Sequence, residues 1–534
     1  MQNTWIYTWL VLLPPVIVLA AAFITKRIVA SLFLGILSSA LIATNFSVYK
    51  TFSIIVGHTF DQFKEIDNYY FFSLIFILGI IISLITRTGG AQALGEIIIK
   101  KAKSKKAAET SILLLSTCLF IDDYLNSLTV GYVMRTLTDK FKISRVKLAY
   151  LIGTMSGPLV IIAPISSWVG MLIGQLSLGG ISLDASTNPT ILADSFFVYI
   201  KSIPFVLYSI ITIASTWFIV RRQISYGPMR HYEKIAQNNN DLLAKPETNK
   251  IDINTQDSHS LFDFLVPIVT LITLVIIGIP YSGGYYLFGG QASLIQSFQY
   301  SNASLVLFIS SIISLTISLI YALIRKKAFI SEVPKIIYIG IEMVLSSVIT
   351  IFLAWIFGAF LKQDLHTGNY LASMLLGTIN IALLPLVIYL TSIIIAVAIG
   401  SSWGTIAIMV PIVVPMLISF LNLQTPICLE NITLLFPCLG AIFSGSITGN
   451  HLSPISDSTI MATTSAGTYA IDLIKARVYY VIPSVIATGL SFLIMGLLLN
   501  KGLYLALLIS ILTGILSSFI ILLIMQKIYK NKNL

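Results

Sequence analysis

The chain of 534 residues predicts an all-α polytopic membrane protein of two inverted-topology repeats, each with a re-entrant hairpin and a broken helix, and about 11 full spans. Three observations carry this expectation. Apolar residues make up 56% of the chain and charged residues 10%, a balance whose apolar runs are too long for soluble cores. Of the 33 Lys and Arg residues, 28 fall in alternate inter-span segments (26–27, 87–106, 135–147, 221–250, 325–335, 475–477 and 527–532), the asymmetry that marks cytoplasmic loops. Finally, polar and proline-interrupted stretches recur in both halves, and broken backbone at membrane depth is tolerated only inside protein or beside a wet cavity.

The net charge of +11 therefore reports orientation and gives no reason to expect nucleic acid. It places the amino end outside and the carboxyl end in the cytoplasm of a multi-pass cell (cytoplasmic or inner) membrane protein whose first partner is the lipid bilayer. Cys118, Cys428 and Cys438 suggest no disulfide framework and read as core packing.

Residues 1–220 form the first repeat. Its spans begin at Trp5–Thr25, where Lys26–Arg27 follows the apolar run, the charge order of a retained span. Spans at 28–48 and 71–88 enclose an outside loop with Asp61, Glu65 and Asp67, and 89–109 is a Lys-rich cytoplasmic segment. The stretch near 110–138 has basic residues at both ends and an apolar part of only about 25 residues, too short for two crossings. It reads as a hairpin with Asp122, Asp123, Asn126, Ser127 and Thr129 near its tip, and Arg135 as an interface anchor. Residues 148–182 carry no charge and contain Gly157, Pro158 and Pro164, followed by Ser166–Ser167–Trp168: a broken span. One more span at 195–220 leads into 221–260, a polar cytoplasmic linker with nothing in it to build a core.

The second repeat, with a terminal span, occupies 261–526, and 527–534 is a cytoplasmic tail. From Leu365 to Leu429 nothing is charged except a protonatable His366, and a polar turn at Ser401, Ser402 and Thr405 marks a hairpin near 371–420. The broken helix at 432–467 holds Asn450, His451, Ser453, Ser456, Asp457 and Thr459 around Pro454. IAPISSW at 162–168 aligns with LSPISDS at 452–458, each behind a Ser-Gly pair and each following a hairpin with a polar tip. That order, in opposite inferred orientation, is the pattern of secondary transporters whose sites lie between discontinuous helices.

The blocks DDYLNSLTVGYVMRTLTDKFKISRVKLAYLI, APISSW and GNHLSPISDSTI resemble the signature regions of the NhaC-type sodium/proton antiporters. The resemblance covers most of the chain outside 221–260, and it implies a secondary transporter that is not an enzyme. Members of that family typically carry Asp-His where this chain has Asn450–His451. It also includes exchangers of malate for lactate, so a carrier coupling sodium or protons to a small organic anion or amino acid is the alternative. No cofactor is implied, sodium and protons being the transported or coupling ions, and a homodimer is a further option.

The chemistry follows from the residue types. Sodium is a hard cation that prefers carboxylate, hydroxyl and carbonyl oxygens. Asp457, Asp122 and Asp123 are its expected ligands, with the hydroxyls of both breaks beside them. Burial and a neighbouring carboxylate favour protonation while a bound cation favours the ionised form, so proton and cation compete for one site. A site that faces one side at a time then exchanges them. His451 reads equally as a packing residue or a titrating one.

Overall fold

The structure is a computed structural model that describes residues 8–25, 27–64, 66–183, 189–238, 242, 260–375, 380–423, 425–454 and 456–531. The start of the first expected span, Lys26, Glu65 of the expected outside loop, half of the 221–260 linker and the end of the 527–534 tail lie outside the described residues. Among those described, nine helices are long and apolar enough to cross a membrane, or ten if Ser195–Phe205 and Leu207–Arg222, bent by 45°, make one span. The difference from eleven has local causes. Leu13–Thr25 and Ile28–Ala43 have 13 and 16 residues, short of the roughly 20 that span hydrocarbon. Conversely, both arms of the second hairpin, Ile381–Ile399 and Ser402–Phe420, reach spanning length at 19 residues each.

The fold is inside-out relative to a soluble bundle. Val269, Ile276 and Ile277 of one outer helix and Leu505, Leu508, Leu512 and Leu516 of another point outward, as expected of surfaces that meet lipid. Hydroxyls instead concentrate inside, where small residues let helices approach.

Nine helices position the functional region. The first hairpin is α1 (Lys105–Cys118) and α2 (Asp123–Lys140), and the broken helix after it is α3 (Arg145–Ile162) and α4 (Val169–Leu178). The second hairpin is α5 (Leu384–Ile399) and α6 (Ser402–Phe420), followed by the broken helix α7 (Leu435–Leu452) and α8 (Asp457–Ala466), and then α9 (Ala470–Leu498). Gly445 and Gly449, one turn apart on α7, lie flush against α5: a Cβ there would fall 2.4 Å from Ser392 Cβ and 2.4 Å from Ala396 Cβ respectively. Gly131 of α2 meets Ser465 of α8 in the same way, its Cβ site 2.1 Å from the Ser465 hydroxyl oxygen.

Several loop expectations are corrected. The segment expected as an outside loop contains a helix, Val48–Lys64, that leaves Val48, Tyr49, Phe52, Phe60 and Phe63 exposed. The start of the linker is not a solvated coil, because Gly227–Asn238 is a helix with Met229, Glu233 and Ala236 buried. Glu233 accepts from Lys105 and Lys147, each at 2.8 Å, and Lys147 also pairs with the buried Glu109 at 2.8 Å. Composition alone could not reveal this, since each partner comes from a distant segment. Of the cysteines only Cys438 is buried, whereas Cys118 and Cys428 are exposed. Three two-residue strands, Ile181–Ser182, Ile191–Leu192 and Ile427–Cys428, pair in parallel and join the loops of the two halves.

Candidate cation site

The first hairpin turns just before two carboxylates with different duties. Asp122 caps α2: one oxygen accepts the Leu125 N–H at 2.7 Å and the other accepts the Ser167 hydroxyl at 2.7 Å. Both oxygens are engaged and the residue is buried. Asp123, the first residue of α2, keeps a half-buried side chain that accepts the Trp168 indole N–H at 3.1 Å. Asn126 donates to the carbonyls of Ser116 and Leu119 at 2.7 and 3.2 Å and closes the turn.

The break between α3 and α4 is built onto that turn. The Ser167 N–H donates to the Ile121 carbonyl at 2.8 Å, and the Ser166 hydroxyl to the Val160 carbonyl at 3.0 Å. Tyr199 donates its hydroxyl to the freed carbonyls of Ile161 and Ala163 at 3.1 and 2.7 Å. A freed backbone group inside the protein needs such a partner, yet no local signal marks Tyr199 in the sequence.

The second half repeats the scheme with hydroxyls. Gly400 (φ 72°) ends α5, and Ser401 caps α6 by accepting the Gly404 N–H at 3.3 Å. Thr405 donates back to the Ser401 carbonyl at 2.9 Å, while Ser402 reaches across to the Ser446 carbonyl at 3.1 Å. At the break Ser453 donates to the Val397 carbonyl at 3.1 Å, and Ser456 caps α8 by accepting the Thr459 N–H at 3.3 Å. Ser458 donates to the Asn450 side-chain oxygen, and His451 Nδ1 is 2.9 Å from the Tyr208 hydroxyl.

The two halves meet along α2 and α8. Gly131 lies against Ser465, and Arg135 donates to the carbonyls of Ser465 and Thr464 at 2.6 and 2.8 Å. Arg135 thus holds the carboxyl end of α8, a role that replaces the interface anchor expected of it. At the other end lie the two amino termini. Asp457, the first residue of α8, has an accessible side chain within electrostatic reach of Asp123. Asp123 and Asp457 therefore occupy equivalent positions, each following a cap that binds the N–H three residues on. Trp168 and Trp403, from the first break and the second hairpin, touch edge to face at 5.7 Å.

Not every expected ligand joins them. Asp122 is spent on capping, and the three aspartates do not gather as one ligand group for a metal ion. Ser401 and Thr405 satisfy their own turn, Ser127 is buried, and Thr129 lines a cavity of about 480 Å³ together with Leu125, Arg87, Glu332, Lys335 and Met343. Met343 also lines a separate void of about 20 Å³ that touches Asp122, Ser167 and Trp403. Arg477, counted in the sequence among loop cations, is on α9 with no exposed surface and donates to the Thr459 hydroxyl.

Comparison with known proteins adds five relationships. The profile of the Na+/H+ antiporter family matches residues 159–497. An uncharacterized protein of Haemophilus influenzae (strain ATCC 51907 / DSM 11121 / KW20 / Rd) is 28% identical over 491 residues, 91% of this chain and 90% of that one. The malate-2H(+)/Na(+)-lactate antiporter of Bacillus subtilis (strain 168) is 32% identical over 103 residues, 19% of this chain and 20% of its own. Among solved structures, the Alcanivorax borkumensis YdaH transporter superposes with a TM-score of 0.49 at 13% identity, covering 84% of this chain and 88% of that one. For Neisseria gonorrhoeae MtrF the TM-score is 0.43 at 14% identity, covering 88% and 84%.

Proposed function

Since this chain belongs to the Na+/H+ antiporter family and is a multi-pass membrane transporter and not an enzyme, we propose that it exchanges sodium for protons by alternating access. The carrying observation is the equivalent placement of Asp123 and Asp457, each the first residue of its helix, on α2 and α8, which pack against each other. Two carboxylates that share a site resist double ionisation, so protons bind when sodium is absent, while a hard cation drawn to carboxylate and hydroxyl oxygen displaces them. The amino-terminal dipoles support the ionised form that binds the cation. Asp122 serves as a positioning residue that fixes the hairpin tip on Ser167. The two hairpin-and-break halves are read as an inverted repeat in the cytoplasmic membrane, with the amino end outside, and rocking of one half against the other moves the site.

Sodium-driven proton movement in proteoliposomes tests this. The wild type acidifies or alkalinises the lumen according to the imposed sodium gradient, and Asp457→Asn inserts normally but exchanges nothing. Unchanged exchange and pH profile in Asp457→Asn would mean that its carboxylate has no part in the chemistry. A second reading, sodium or proton coupling to a small organic anion, is favoured by one observation, the buried guanidinium of Arg477.

A further inference from the structure

Arg477 stands two turns inside α9, buried among Thr459, Tyr208, Tyr150, His451 and Gly153. Its Nη2 donates to Thr459, but Nε and Nη1 meet no acceptor among the described residues, and it forms no ion pair with any of them. A buried guanidinium without a counter-charge is strongly disfavoured, because its desolvation is repaid only by an anion of good geometry. Its location sharpens the demand. Thr459 is in the first turn of α8, whose amino terminus already carries positive potential, so Arg477 adds a cation where a helix favours an anion. Tyr208, Tyr150, Thr459 and His451 offer hydroxyl and ring groups but no carboxylate.

We propose that Arg477, Thr459 and the amino terminus of α8 form the carboxylate subsite of a small organic acid anion. The planar guanidinium of arginine offers a carboxylate parallel N–H donors along its edges, and after Nη2 has given one N–H to Thr459 the Nε–H and both Nη1 N–H groups are left for an anion. Asp123 and Asp457 hold the cation on the other side of the same helix start, so that carboxylate and sodium occupy neighbouring subsites of opposite polarity. The half-helix amino terminus aimed at an anionic group and the coupling ion beside it are a known arrangement for discontinuous transporter helices. This subsite deepens the sodium-coupled reading above, and it rests on that reading only for its coupling partner.

The test uses the full chain in nanodiscs and follows thermal unfolding and the fluorescence of its six tryptophans, Trp168 and Trp403 among them. Acetate, L-lactate and L-malate are titrated at constant sodium with chloride as the reference anion, and sodium chloride is titrated separately. At least one carboxylate should stabilise the wild type saturably. Arg477→Gln should weaken that response at least a hundredfold, and Arg477→Lys, which keeps the charge but loses the fork, about tenfold. A sodium response that persists in Arg477→Gln shows the fold intact; if the glutamine variant does not fold, the lysine variant decides. No carboxylate response in the wild type, or equal affinities in wild type and variants, overturns the subsite. Loss of the sodium response alone, with carboxylate binding retained, overturns the cation site and leaves the subsite standing.

Discussion

Glutamine at Glu233 removes one negative charge from the cluster that docks the Gly227–Asn238 helix, and its effect can be worked out from the contacts. One carboxylate oxygen takes both Lys105 and Lys147 at 2.8 Å, and the other accepts from Ser225. Burial by itself would push this carboxyl up, but the two ammonium groups outweigh it and hold it at about 2 against an ordinary 4.5. That gap is worth about 3 kcal/mol at about 1.4 kcal/mol per unit. Because the folded value lies below the unfolded one, the stabilisation is complete above pH 4.5 and is lost as pH falls through about 2. Lys147 keeps Glu109 at 2.8 Å, so the loss stays near 3 kcal/mol and below the 5 kcal/mol that can follow from breaking a buried pair outright, as order-of-magnitude figures. Limited trypsinolysis after Arg230 and Lys234 in detergent reads this directly. Where opening is fast relative to cleavage, Glu233→Gln should be cut about two orders of magnitude faster at pH 7. Its thermal midpoint should also respond less than that of the wild type to acidification from pH 5 to 3. Equal cleavage rates and superimposable pH profiles would refute the idea that this charge docks the helix.

Two further expectations concern the site and the topology. Asp122→Ala should lower the thermal midpoint, since an N-cap contributes about 0.5–2 kcal/mol, while Asp123→Asn should fold and lose at least tenfold in sodium-driven proton flux; the opposite pattern would reverse the assignment of cap and ligand. Single cysteines at Lys64 and Lys103, in a background without the native three, should label from outside and only after permeabilisation respectively, and labelling of both from one side would remove the proposed orientation.

Much of the architecture is local and therefore legible in the chain. Apolar runs announce membrane helices, and the prolines with their neighbouring serines announce both breaks, because a chain in lipid must satisfy its own backbone within a few residues. The turn before Asp122 and the turn at Ser401 are local for the same reason. Pairings across the fold were decided only by tertiary packing. Asp123 and Asp457 are more than 300 residues apart, and no periodicity in either segment says that α2 and α8 run side by side. The different fates of Asp122 and Asp123 depend on Ser167 and Trp168, which arrive from another helix. Arg477 sits two residues after Lys475 and reads as a loop cation, because a helix face is assigned by what packs against it and not by composition. Glu109, Lys147 and Glu233 likewise compensate one another only when three separate segments converge. Sequence thus marked where the chain is apolar, where it breaks and where it turns, whereas burial of charge, being a property of neighbours, was settled by the folded contacts alone.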